Sequence, residues 1–135
     1  MDLQKAMIAS ASGLRAQSIR MRVISENIAN QNSVASSPYE DPYRRKIVTF
    51  QTELDRANGV EVVKAGKIAF DQKEFTNKYD PGNPAADEAG YVKQSNVNGL
   101  IEMMDMRQAQ RTYQSNLNAL EASRRMASIT LELLR

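Results

Sequence analysis

The sequence predicts an α+β fold in which long N- and C-terminal α-helices pair as a coiled-coil-like unit around a small central β-rich insert. Three observations carry this. Apolar residues recur every seven positions at both ends of the chain, and the stretch between is broken by Pro, Gly and β-branched residues. Large rings are scarce: 135 residues include three Phe, five Tyr and no Trp against seven Met. A core of Met, Ala and Ser suits close helix packing better than a ring-filled globule. The expected segments are 1–32 for the first helix, 33–95 for the insert and 96–135 for the second helix.

In the first segment Met7, Leu14, Met21 and Ile28 recur at sevens, with Leu3, Ser10, Gln17 and Ile24 at the complementary positions. This heptad predicts a helix over about 3–30, with Asp2 as N-cap. The small run Ala9 to Gly13 would let another backbone approach closely. The helix runs into "SENIANQNS", where Asn27, Asn30, Gln31 and Asn32 gather. An amide side chain both donates and accepts hydrogen bonds. Asn27 and Asn30 are therefore candidates for bonds between subunits, whereas Asn32 reads as a cap, and capping is the plainer reading of the whole group.

The insert begins with a loop, Ser33 to Pro42. "YRRKIVTFQTEL" from Tyr43 reads as extended, Asn58-Gly59 as a two-residue hairpin turn, and "KIAFDQKEF" as a further strand. "YDPGNPAADEAGYV", Tyr79 to Val92, reads as a rigid loop dense in turn residues. Such an insert is too small for a strong core of its own, so it leans on the helices or on neighbours.

In the last segment Met106, Tyr113, Leu120, Ala127 and Leu134 recur at sevens, interleaved with Met103, Gln110, Leu117, Arg124 and Leu131. Asn96 or Asn98 is the expected N-cap, followed by Glu102 and Asp105, whose charges favour a helix N-terminus. A second stripe, Ala119, Ala122, Met126, Ile129 and Leu133, leaves more apolar surface than one partner helix can cover. Gln108, Gln110, Gln114, Asn116 and Asn118 place amides along the same helix. No Gly or Pro marks its end.

Little of the chain suits catalysis. There is no Cys and no His, so thiol nucleophiles, thiolate zinc sites and Ser-His mechanisms are excluded. Asp80, Asp87 and Glu88 form the best acidic group, but Asp before Pro and Asp-Glu before Gly are ordinary turn chemistry. Gly82 and Gly90 make no phosphate cradle. The expected catalytic, cofactor and metal residues are accordingly none. A net charge of +2 is too slight to argue for nucleic acid, and Arg44, Arg45 and Lys46 read as a solvated strand edge. No apolar run reaches the roughly 20 residues of a membrane span, and the start of the chain does not fit a cleaved secretory signal.

"SENIAN", "PYRRKIVTFQ", "YDPGNPAADEAGYVKQSNVN" and "EMMDMRQAQRTYQSNLNALEASRRM" resemble the flagellar rod and hook family of axial proteins, within it the proximal-rod branch, over nearly the whole chain. Ser95 departs from the Pro usual there, which would loosen the start of the second helix. The resemblance implies a structural subunit of the bacterial flagellar basal body and no enzyme. Its partners would be copies of itself and other flagellar rod proteins, with the flagellar type III export apparatus in transit. Nucleic acid and membrane insertion are not implied. It would be exported without a cleaved signal and assembled in the periplasm, its terminal helices forming the inner tube of drive shaft and export channel. Carried over by position, the assembly interface includes Met7, Leu14, Met21, Ile28, Tyr113, Leu117, Leu120 and Leu131, joined by Asn27, Asn30, Met106, Asn116 and Leu134. Tyr43, Arg44, Arg45, Tyr79, Asp80, Pro81, Gly82, Pro84, Gly90 and Tyr91 would shape the insert. A rival reading is a cytoplasmic coiled-coil adaptor or weak nucleic-acid-binding regulator using Arg44, Arg45 and Lys46, which predicts salt-dependent binding.

Overall fold

The computed structural model describes residues 3–134, so the cap expected at Asp2 lies outside the described residues. The element order is α1 (Leu3–Ala29), β1 (Lys46–Asp55), β2 (Val60–Phe70), β3 (Thr76–Tyr79), β4 (Tyr91–Gln94) and α2 (Gly99–Leu133). The fold is α+β as expected, with β1 paired to β2 and β3 to β4 in two separate sheets. At the start of α2, Asn98 Oδ1 accepts the amides of Leu100 at 3.1 Å and Ile101 at 3.3 Å, an N-cap supplied by the second of the two expected asparagines. Asn30 closes α1, donating to the Glu26 carbonyl at 2.8 Å and accepting from the Ser33 hydroxyl at 3.1 Å.

The chain divides into two compact units. The first gathers Met1–Met21, Val48–Lys67 and Arg107–Arg135. Here Gly13 of α1 lies against Asn116 of α2, so closely that a Cβ on Gly13 would stand 2.7 Å from the Asn116 amide nitrogen. The β1–β2 hairpin is tied to α1 by Ser12, whose hydroxyl donates to the Ala9 carbonyl and accepts the Val63 amide at 3.1 Å. Ala16, Val60, Val62 and Ala109 are the buried apolar residues of this unit. Small side chains and a glycine thus set the helix approach, as the run Ala9 to Gly13 suggested.

The seam differs from the expected one by a rotation. On this part of α2 Ala109 is buried, and Met106, Tyr113, Asn116, Leu120, Ser123 and Ala127 are half-buried. Met103, Gln110, Arg124 and Leu131 are exposed, and of that set Leu117 alone is half-buried. Size explains the shift: an Ala or Ser lets a neighbouring backbone come close, whereas Met and Leu would hold it off.

The hairpin turn also differs from expectation. It has four residues, 56–59, and Gly59 alone is left-handed, at φ 62°. A two-residue type I′ turn needs positive φ at both centres. Asp55 sets the alternative: its carboxylate accepts the Ala57 amide and the Asn58 side chain, and its carbonyl accepts Gly59 N–H at 2.8 Å. "KIAF" extends β2 through Phe70 and forms no separate strand, because Gly66 lies flat against Thr49 and lets the strand continue.

The second unit gathers Arg22–Ile47 and Ile68–Met106. Its short sheet is antiparallel, Thr76 opposite Gln94 through Tyr79 opposite Tyr91, and it closes the Tyr79 to Val92 loop at its base. Asp87 accepts the amides of Ala89 and Tyr91, and Asn83 accepts that of Ala85, so these acids and amides spend themselves on turns. Gly90 has φ 83° and touches Tyr79 and Pro81 where a side chain would stand. Ser95 does not loosen the start of α2. Its amide donates to the Ser33 carbonyl at 3.3 Å, a bond Pro could not make.

Candidate assembly interface

Asn27 organises the second unit. Its side chain is 1% exposed, and all four of its hydrogen-bonding positions are filled within the chain. Nδ2 donates to the Lys46 carbonyl at 2.9 Å and to Glu102 at 3.1 Å, while Oδ1 accepts the Tyr43 hydroxyl at 2.8 Å and the Lys46 amide at 2.9 Å. One amide therefore pins α1 to the start of β1 and to the first turn of α2. The expected bond from Asn27 to a neighbouring subunit is replaced by this intrachain clamp, since no donor or acceptor is left over. Asn30 is likewise spent on the helix cap.

Glu102 sits fully buried at the centre, held by the Arg45 guanidinium. Arg45 also reaches Asp71 at 3.4 Å and Asp105 at 3.5 Å. Burial works against the Arg45 charge, but the hydrogen bonds and charges of Glu102 and Asp71 together outweigh it and leave its pKa raised. Asp71 is held below the ordinary carboxylate range, chiefly by the Lys73 amide and then by Arg45. Glu26 is lowered and Lys46 raised by their mutual 2.9 Å hydrogen bond. Burial pushes the Tyr43 hydroxyl up. Arg44 donates to the carbonyls of Asp71 and Lys73 and lies 4.3 Å over the Phe75 ring. The basic cluster expected to be a solvated edge is thus engaged residue by residue within the chain.

The other sequence-identified residues fall into two groups. Met7, Leu14, Met21, Ile28, Met106, Tyr113, Asn116, Leu117 and Leu120 are half-buried. Leu131 and Leu134 are 68% and 79% exposed, in an apolar run that also bares Met126, Ile129 and Leu133. At the other end of α2, Leu100, Ile101, Met103 and Met104 are exposed around the buried Glu102. In the insert, Tyr79 and Tyr91 stack edge to face at 5.4 Å, Asp80 donates its amide to the Gly90 carbonyl, and Pro81, Gly82 and Pro84 line the loop between them. Sequence reasoning missed Glu102, Asp71 and Ser12 as organisers. The only local sign at Glu102 is that it is a lone carboxylate among Leu100, Ile101, Met103 and Met104, and this does not name its partner.

No described helix is long and apolar enough to cross a membrane. What the structure offers is a polar junction satisfied internally and long apolar helix faces left open.

Comparison with known proteins gives these faces a context. Residues 7–35 match the family described as flagella basal body rod protein, and residues 88–133 match the flagellar basal body rod FlgEFG protein C-terminal family. The chain is 51% identical to the flagellar basal-body rod protein FlgC of Agrobacterium fabrum over 98% of its own length and 96% of the relative's. It is 39% identical to the FlgC of Salmonella typhimurium, covering 92% of each, and 36% identical to that of Aquifex aeolicus, covering 98% and 97%.

Proposed function

The chain belongs to the FlgC family of flagellar basal-body rod proteins and is a structural subunit of that rod, not an enzyme; from this premise we propose that it stacks helically with copies of itself and with other rod proteins to build the proximal rod. The single observation that carries this is the contrast along α2. Glu102 is fully buried and paired, whereas Met126, Ile129, Leu131 and Leu133 stand 57%, 49%, 68% and 82% exposed on an unbroken helix. A monomer rarely leaves such a run bare. Each Leu or Met covered by a neighbour contributes about 1.5–3 kcal/mol, so a few per subunit suffice to drive stacking.

In this reading segments 1–32 and 96–135 form the inner tube, lining the drive shaft and export channel, and 33–95 forms an outer layer. The subunit travels through the flagellar type III export apparatus and assembles in the periplasm. Purifying detergent-extracted basal bodies from cells carrying the wild-type chain or Leu131→Asp is the direct test. The wild type co-purifies and its cells swim, whereas the variant is made but leaves rods unfinished. Swimming by Leu131→Asp cells would defeat the assignment.

A further inference from the structure

In the first unit a groove of about 1050 Å³ lies between α1 and the β1–β2 hairpin. Its walls are apolar, with Ile8 and Ile19 from the helix and Leu54 and Val63 from the strands. Four charged side chains rim it besides Asp55, which is spent on its turn. Lys64 and Glu53 neutralise one another at 2.7 Å. Arg15 and Arg56 have no carboxylate partner among the described residues, so the unbalanced charge of the groove is positive.

We propose that this groove receives the C-terminal end of α2 from a second copy of the chain. The apolar stripe Met126, Ile129 and Leu133 lies on one helical face at spacings of three and four, and it matches the apolar walls. The electrostatics match as well. A helix ends in unpaired carbonyls carrying partial negative charge. The last turn of α2 adds Glu132 and no basic residue. That end complements Arg15 and Arg56.

The occupant cannot be the chain's own helix end. Gly13, which lies in sequence between the wall residues Ser12 and Arg15, faces Asn116. Leu133 lies seventeen residues further along the same helix, about 26 Å at 1.5 Å per residue. An unbroken helix cannot return over that span. Donor end and acceptor groove are therefore different surfaces of one molecule, and such a head-to-tail contact can repeat from copy to copy. The inference rests on the rod-assembly reading and names the contact by which copies stack.

The chain has no Cys, so introduced thiols report one contact each. Ala57, on the groove rim, and Leu133 are both exposed, so replacing them should leave the fold intact. The double variant Ala57→Cys with Leu133→Cys, oxidised in intact cells and in purified basal bodies, is expected to give a ladder of disulfide-linked multimers. Val63→Cys with Ile129→Cys is a second pair, and Glu88→Cys with Leu133→Cys is the control that should stay monomeric. Arg15→Glu lowers cross-linking about tenfold, equivalent to about 1.4 kcal/mol, and Glu132→Arg in the same chain restores it. No ladder from either groove pair, or an equal ladder from the control, overturns the contact. Co-purification with basal bodies is scored separately: chains found there without a ladder remove this contact and keep the rod reading, whereas wild-type chains absent from basal bodies remove the rod reading.

Discussion

Replacing Asn27 by Asp is the sharpest test of the junction, because size and shape are kept and the donors alone are lost. Nδ2 stands 3.1 Å from Glu102 and 2.9 Å from the Lys46 carbonyl. A carboxylate oxygen there would face a second carboxylate, and two unit charges at that distance repel by about 5 kcal/mol at an effective dielectric of about 20. Arg45 already sits on Glu102 and moderates the repulsion, while the lost bond to Lys46 adds about 1 kcal/mol. The expected loss at neutral pH is about 3–5 kcal/mol, the range found when a buried pair is broken, from a total of about 5–15 kcal/mol for a domain. The sign with pH follows. Glu102 raises the pKa of the introduced carboxyl in the folded variant, so the deficit is fully expressed above that pKa and shrinks as acidification restores a proton that can be donated. Urea unfolding followed by circular dichroism, at neutral pH and near pH 5, reads both effects. Asn30→Asp, at the helix end, is the control and costs less than about 1.5 kcal/mol. A loss at Asn27→Asp under about 0.5 kcal/mol, the range of an ordinary surface change, would refute the clamp.

Three further outcomes are expected. Gly13→Ala places a methyl 2.7 Å from the Asn116 amide and costs about 1–3 kcal/mol by overpacking; Asn116→Ser recovers most of it in thermal unfolding, and a Gly13→Ala protein as stable as wild type would show that the helices are further apart. Asp71 and Glu26 have lowered pKa values, so the stability they contribute is present at neutral pH and lost as pH falls below about 4; Lys46 and Tyr43 are raised, so theirs is lost as pH climbs above about 10. Unfolding midpoints across the pH range check this, and a flat profile at both extremes would contradict the assigned partners. Hydrogen exchange should find the amides of 126–134 fast in the free chain and slow in isolated rods; slow exchange in the free chain would mean that stretch is already covered.

How much of this was legible in the sequence follows the range of the forces involved. The helices, a cap at one of two asparagines and a turn at Asn58-Gly59 are local, set by period, dipole and backbone sterics, and were readable. The seam was readable in period and in part of its phase, as at Ile24 and Met106, but Met7 and Leu14 look like better core residues than Ala16 or Gly13 until the closeness of α2 is known. The polar junction was not readable. Asn27, Arg45, Asp71 and Glu102 come from four places in the chain, and no local pattern says that a carboxylate in a helix's first turn will meet an arginine 57 residues earlier. The short β3–β4 ladder was hidden for a related reason: its strands are four residues each, and the tight loop they close dominates the composition.

The same division explains how one chain can be both well defined and unfinished. A buried polar cluster is demanding, because every group left unpaired costs about 1–3 kcal/mol, so its geometry is specified by this chain alone. Apolar faces are permissive about what covers them. In this chain the demanding contacts gather where α1 ends, β1 begins and α2 begins, and the permissive ones along the far end of α2 and the groove beside Ile8 and Ile19. Mutations at Asn27 or Glu102 should therefore act on the folded monomer and be read by unfolding. Those at Leu131 or Leu133 should leave unfolding unchanged and be read only in the rod.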